Sequence, residues 1–242
     1  MNMKTKYISL SVWAVLLALT MTSCDGLLNQ PPYDDFTDEE YWQNEDQART
    51  YMYGFYTSVF SGYGTGTSHG PFLMGQTLND DFASDVEQKD LTPLVVPETD
   101  DSWSFSNIRK ANYALASIER IDATPAAKNH WRGVARFFRA CYYSNLVFRY
   151  GDVPWYDRVP KLSDRKEDMD YLYKDRDPRA FVDSCIMADF QYAMDSVREN
   201  DGPMHINRYV VAAMASRFML REGTFLKYNT TDAHLEEKCL TM

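Results

Sequence analysis

Cys24 places a thiol where exported chains receive lipid. Lys4 and Lys6 supply a charged start, Tyr7 to Thr20 form an apolar run, and Met21-Thr22-Ser23 leads directly into the cysteine. A lipoprotein peptidase cuts such a sequence before the cysteine, so residues 1–23 read as a signal peptide and the Cys24 thiol as the lipid carrier. The run is too short to cross a bilayer as a helix. Other reactive chemistry is sparse. His69, His130, His205 and His234 are far apart and fit no HExxH or comparable ligand spacing, and there is no GxSxG elbow or phosphate loop. Cys141, Cys185 and Cys239 lack CxxC spacing, and the apolar neighbours of Cys141 and Cys185 predict buried free thiols. Asp80, Asp81 and Asp85 fall close together, and a carboxylate pair can cleave a glycosidic bond when correctly separated. Proximity in sequence does not set that separation, so a polar, ligand-contacting loop is the simpler reading. No catalytic residue, metal ligand or cofactor is assigned.

These groups must be held by helices. Residues 24–36, with Gly26 and Pro31-Pro32, read as a tether, and the folded body begins at residue 37. Thr37 and Glu40 predict a capping box for a first helix that carries Ala48, Met52, Phe55, Tyr56 and Val59 as far as Gly62. The Gly-rich stretch from Ser61 to Gly70 follows a helix rather than a strand and so predicts a loop, not a dinucleotide fold. From Pro71 to Asp101 the helical period is lost, with Leu94-Val95-Val96 as a possible short strand. A loop of that length in a compact domain is usually functional, which makes Tyr63, His69, Phe72, Asn79, Asp80 and Asp81 the candidate ligand-binding residues.

A second helix is expected through Phe105, Ile108, Asn112 and Leu115. Thr124-Pro125 then opens a third, which carries Trp131, Val134, Ala135, Phe138, Tyr142 and Leu146 and stops at Gly151. Its Trp131-x-x-Val134-Ala135-x-x-Phe138 spacing matches the first helix of a tetratricopeptide repeat. Arg158 to Arg176 reads as charged and solvated. Asp177-Pro178 predicts an N-cap and first helical residue. The following helix is expected to form an antiparallel pair with one running from Asn207 to Gly223, and a last helix opens near Thr231 with Leu235 and Cys239 on one face.

The chain has 242 residues, is 45% hydrophobic and can bury a core. Loss of Lys4 and Lys6 with the signal takes the net charge from −10 to −12. So acidic a chain argues against nucleic acid, whose phosphates demand Lys and Arg, and against anionic lipid surfaces. Membrane contact is then expected through the lipid alone.

Several motifs together resemble the SusD/RagB family of outer-membrane lipoproteins. They are Cys24-Asp25-x-Leu27-Leu28, Thr37-x-x-x-Tyr41-Trp42, Trp103 with Ile108 and Asn112, and Arg139-Ala140-x-Tyr142-x-x-Leu146-x-x-x-Tyr150-Gly151-Asp152-Val153-Pro154. Asp177-Pro178-Arg179-x-Phe181 and Arg221-Glu222-Gly223-Thr224-Phe225-x-Lys227-Tyr228 extend the match. The resemblance implies an all-α, tetratricopeptide-like scaffold with long irregular loops. It also implies a non-enzymatic, surface-exposed binder of glycans or other nutrients that pairs with a TonB-dependent, SusC-like barrel. Family members are longer, so residues 37–242 are expected to be an N-terminal helical domain that is incomplete at its C-terminus. Asp25 resembles the family's acidic export stretch. Two other readings stay open: a helical-repeat envelope scaffold that binds only proteins, and a lipid-anchored glycosidase using Asp80 and Asp81.

Overall fold

The computed structural model describes residues 41–60, 100, 102–160, 165–229, 237–239 and 241. The chain divides into a unit Met1–Tyr41 and a unit Trp42–Met242, and the fold described below is that of the second. Among its described residues six helices have both ends defined: α1 Glu45–Val59, α2 Ser106–Ser117, α3 Pro125–Tyr150, α4 Lys166–Leu172, α5 Arg179–Ser196 and α6 Arg208–Asn229. Isolated bridges join Asn44 to Asp122 and Val153 to Asp177, and the described residues contain no strand. The all-α expectation holds.

Helix α3 is the organising element, because α1, α2, α5 and α6 all pack on it. Its ends are local chemistry. Thr124 accepts a hydrogen bond from Ala127 N, Pro125 occupies the first helical position, and Gly151 at φ 72° closes the helix with its N–H on Val147 O. Trp131, Val134, Ala135 and Phe138 are all buried, as the repeat-like spacing predicts. Rings continue the core outward: Phe55 stacks on Phe138 at 4.9 Å and Phe190 on Phe218 at 6.0 Å.

Gly133 lets α3 approach the end of α5. A Cβ at this position would lie 2.8 Å from Val197 Cγ2 and 3.3 Å from Ser196 Cβ. Gly133→Ala is therefore expected to lower stability by about 1–3 kcal/mol despite its better helix propensity, because the close-packed neighbours must shift. Thermal unfolding checks this, and an unchanged or raised Tm would mean that the two helices separate freely.

Helices α5 and α6 are antiparallel, as expected. Arg179 at the start of α5 grips Glu222 late in α6 at 2.5 and 2.8 Å, while Arg208 N at the start of α6 donates to Arg198 O just past the end of α5. Helix α6 does not stop at Gly223 but continues to Asn229. The reason is tertiary: Leu226 is buried and Arg179 lies 3.5 Å above the Phe225 ring, which outweighs the cost of about 1 kcal/mol for an interior glycine.

Four further expectations are corrected. The helix carrying Ala48 to Val59 begins at Glu45, where Asn44 and Gln47 form a reciprocal capping box, and it ends before Gly62. Pro178, not Asp177, is the N-cap of α5, and the first free N–H is taken by a distant carboxylate, with Arg179 N donating to Asp152 Oδ1 at 2.8 Å. The stretch Arg158 to Arg176 contains a helix, α4, rather than being wholly solvated. Cys185 is only half-buried, whereas Cys141 and Cys239 are buried, and all three are free. The predicted Thr37–Glu40 box, the Leu94–Val96 strand and the Thr231 helix start lie outside the described residues, although Cys239 is helical and buried against Met187, with Sγ and Sδ 3.8 Å apart.

Candidate functional site

The site is built on a charged side chain buried inside the helical core. Arg139 lies on the inner face of α3 and is 5% exposed. Its guanidinium makes a two-pronged contact with Asp189 of α5, Nε to Oδ2 at 2.7 Å and Nη2 to Oδ1 at 2.8 Å. Nη1 reaches Asn112 Oδ1 of α2 at 2.7 Å and Asp157 O at 3.2 Å. A planar guanidinium with five donors can satisfy three elements at once, which a lysine could not.

Through this cluster the helices hold the segment that follows Gly151. Asn112 Nδ2 donates to Tyr156 O at 2.8 Å, and Tyr156 N donates to the Tyr143 hydroxyl at 2.6 Å. Trp155 N donates to Asp177 Oδ2 at 2.6 Å, and the Trp155 ring lies 4.2 Å from Tyr143 and 5.1 Å from the Arg139 guanidinium. Burial pushes the Tyr143 hydroxyl well above the usual phenol range, so it stays protonated and can both accept and donate here. The Gly-Asp-Val-Pro stretch ends α3 and enters a pinned shelf.

A run of edge-to-face rings crosses that shelf. Trp103 meets Tyr150 at 4.8 Å and Phe105 at 5.3 Å, Phe105 meets Tyr156 at 5.5 Å, and Tyr156 meets Tyr171 of α4 at 5.4 Å. Trp103 is 37% exposed, with the Arg176 guanidinium 4.7 Å above its ring. Asp100 anchors this end, taking Ser102 N at 2.9 Å, the Tyr150 hydroxyl at 2.7 Å and Arg149 at 3.0 Å. The first two of those donors hold its carboxyl down at about 2, so it is ionised at any working pH. Beside the rings lies a cavity of about 260 Å³ lined by Phe105, Ile108, Arg109, Asn112, Tyr156, Arg158, Pro160 and Leu172. Rigid rings, apolar walls and a few polar groups suit a small ligand with both apolar faces and hydroxyls.

Other titratable groups lie elsewhere in the helical unit, some of them in its core. His130 accepts from Arg198 N at 3.1 Å, and burial, with Arg198 beside it, lowers its pKa to about 4. His205 stacks on Tyr53 at 5.7 Å and shares a hydrogen bond with its hydroxyl at 2.8 Å. Asp183 and Glu222 form a carboxyl pair 1% and 3% exposed, sealed between α5 and α6. Burial first, and then the neighbouring Glu222 charge, raises the Asp183 pKa to about 8. An unfolded Asp titrates near 4, so the protonated carboxyl contributes stability that is full below about pH 4 and lost as pH rises through about 8. The difference in unfolding free energy between the native chain and Asp183→Asn should therefore shift against the native chain from pH 5 to pH 8. A constant difference in urea titrations over that range would mean that the pair carries no extra proton.

The motif residues Trp103, Ile108, Asn112, Arg139 and Tyr150 fall inside this site. Cys24, Tyr63, His69, Phe72, Asn79, Asp80 and Asp81 all lie outside the described residues. Tyr171 was missed because the stretch from Arg158 reads as charged, and Tyr156 because it falls between the motif that ends at Pro154 and that stretch. The available signal was the Trp155-Tyr156 pair immediately after Pro154 and the aromatics of Asp170-Tyr171-Leu172-Tyr173. Among the described residues no group of His, Cys, Asp or Glu could hold a metal ion, and no helix is long and apolar enough to cross a membrane.

Residues 74–220 match a model of the SusD-like family described as "Starch-binding associating with outer membrane". The chain is 23% identical, over 92% of its length, to the SusD-like protein P38 of Formosa agariphila, and it covers 47% of that protein, so it spans about half the length of this curated relative. Its fold is similar to the crystal structure of a SusD-like protein from Bacteroides fragilis, with 22% identity and a TM-score of 0.56 across 81% of this chain and 38% of that one. The family model spans more than half of the residues and the helical fold agrees with it, so the chain belongs to the SusD-like family.

Proposed function

We propose that this chain is the glycan-binding part of a lipid-anchored outer-membrane protein that captures an oligosaccharide and passes it to a TonB-dependent, SusC-like barrel. The observation that carries the reading is the ring-lined cleft of Trp103, Phe105, Tyr156 and Tyr171 beside its cavity. A pyranose offers apolar C–H faces for stacking and hydroxyls for polar groups, and the buried Arg139 cluster holds the cleft rigid, which limits the ordering cost of binding. The family description, starch binding at the outer membrane, supports the same class of ligand. Tyr63, His69, Phe72, Asn79, Asp80 and Asp81 are proposed to complete the ligand face, and lipid on Cys24 to provide the anchor. Capture occurs without turnover. The Asp183 and Glu222 carboxyls, which could be mistaken for an acid pair, are sealed where no sugar reaches.

Affinity electrophoresis of the full chain through gels carrying polysaccharides tests this. Retention without new reducing ends is expected, and Trp103→Ala should weaken it by about 5- to 30-fold, the equivalent of about 1–2 kcal/mol for a lost stacking platform. Reducing ends that accumulate with time would replace capture by hydrolysis. Undiminished binding by Trp103→Ala would move the site away from the cleft. Co-purification of a TonB-dependent barrel from outer membranes checks the partner.

A further inference from the structure

We infer that the cleft selects an anionic glycan, one whose sugars carry a carboxylate or a sulfate, rather than a neutral one. This rests on the glycan-binding reading above and adds the ligand's charge to it. The chain as a whole is acidic, with a net charge of −10, and many of its arginines are matched to carboxylates. Arg139 is held by Asp189, Arg132 by Glu119, Arg179 by Glu222, Arg49 and Arg198 by Asp201, and Arg149 by Asp100. Arg109 and Arg158 are different. Both line the cavity, both are exposed, and neither has a carboxylate within ion-pair distance among the described residues. The Asp157 carboxylate, next to Arg158 in sequence, instead takes the Tyr171 hydroxyl at 3.0 Å.

The two guanidiniums stand on separate supports, Arg109 on the first turn of α2 and Arg158 on the pinned shelf, where it lies 4.3 Å over the Tyr171 ring. Stacking on a ring leaves the edge of a guanidinium free to donate, and that edge matches the paired oxygens of a carboxylate or sulfate. Arg176, stacked on Trp103, adds a third positive charge along the ring path. The opposite character comes from Ile108, Pro160 and Leu172, which give the cavity an apolar wall for the carbon face of a sugar. At about 260 Å³ it lies just below the roughly 300–1,000 Å³ of drug-sized pockets, which fits one or two sugar units at the end or side of a longer chain. An uncharged sugar would leave both guanidiniums without a counter-charge. A sugar acid or sulfate ester uses the cations and the apolar wall together.

Calorimetry and affinity electrophoresis on the full chain decide the matter with three probes: a polygalacturonate oligosaccharide, a carrageenan oligosaccharide and a maltooligosaccharide. At least one of the two anionic probes should bind about tenfold or more tightly than the neutral one, and the stronger of the two tells carboxylate from sulfate. Arg109→Gln and Arg158→Gln should each weaken that anionic binding by about 5- to 20-fold and flatten its salt dependence. Both positions are exposed, so the variants should melt with the native chain, and Arg208→Gln on α6 should change nothing. Neutral and anionic probes bound equally well, with both arginine variants unaffected, would overturn the selection for charge while leaving glycan binding intact. Failure to retain any of the three probes would remove the glycan reading and this inference with it.

Discussion

Arg139→Met is expected to destabilise the chain by about 3–5 kcal/mol, because it leaves the Asp189 carboxylate buried without its counter-charge. Asp189 is 2% exposed and receives both prongs of the guanidinium, at 2.7 and 2.8 Å. Asn112 Oδ1 and Asp157 O lose their donor as well. Arg136 stands 3.7 Å from Asp189, beyond hydrogen-bond distance, with its guanidinium over the Tyr192 ring and its side chain 35% exposed, so it compensates only in part. Arg139→Lys should recover a fraction, since one ammonium supplies the charge but not the fork. The double change Arg139→Met with Asp189→Leu removes both charges and should be far less damaging than the single one, since no unpaired ion stays behind. Urea unfolding monitored by Trp fluorescence measures all three. A loss below about 1 kcal/mol for Arg139→Met would mean that Asp189 is solvated or takes up a proton readily. Surviving Arg139→Met protein should also bind glycan more weakly, because the shelf loses its direct tie from Arg139 to Asp157 O, and Asn112, which holds Tyr156 O, loses the donor that orients it.

Cys24→Ala should move the protein from the membrane fraction to the soluble one almost completely. Each buried methylene of an acyl chain is worth about 0.8 kcal/mol, and stable anchoring needs more than a single chain. No described helix could replace that anchor. A net charge of −10 adds repulsion from anionic lipid surfaces rather than attraction. Detergent-phase partitioning of native and variant chains gives the readout. A variant that still partitions into detergent would show that the lipid on Cys24 is not the main anchor. Glycan affinity in solution should be unchanged, since the cleft is formed within Trp42–Met242.

Helix ends with strong local signals were legible from sequence, and weaker ones were not. Thr124-Pro125 and Gly151 mark the limits of α3 because a capping hydroxyl, a fixed φ and a left-handed glycine act within one turn. At α1 two candidate boxes stand seven residues apart, and the one that opens the helix carrying Ala48, Met52 and Phe55 is Asn44 with Gln47. With Pro178 as the cap of α5, the Arg179 N–H is met by Asp152, 27 residues before it. A local reading of Asp177-Pro178 could not contain that contact. Gly223 shows the same limit in reverse, since its helix-ending tendency is overridden by the packing of Phe225 and Leu226.

The all-α class, the main helices, the acidic character and the family were legible in the order of the residues, because periodicity, composition and short motifs are properties of neighbours along the chain. The candidate cleft was decided by the tertiary structure. Trp103, Tyr156 and Tyr171 come from three segments, and the cluster beneath them joins Asn112, Arg139 and Asp189 across separations of 27 and 50 residues. Arg139 was visible beforehand only as a motif letter. Its role follows from burial: in a low-dielectric interior a charge must find its partners, and those partners are whichever residues the packed helices bring within reach.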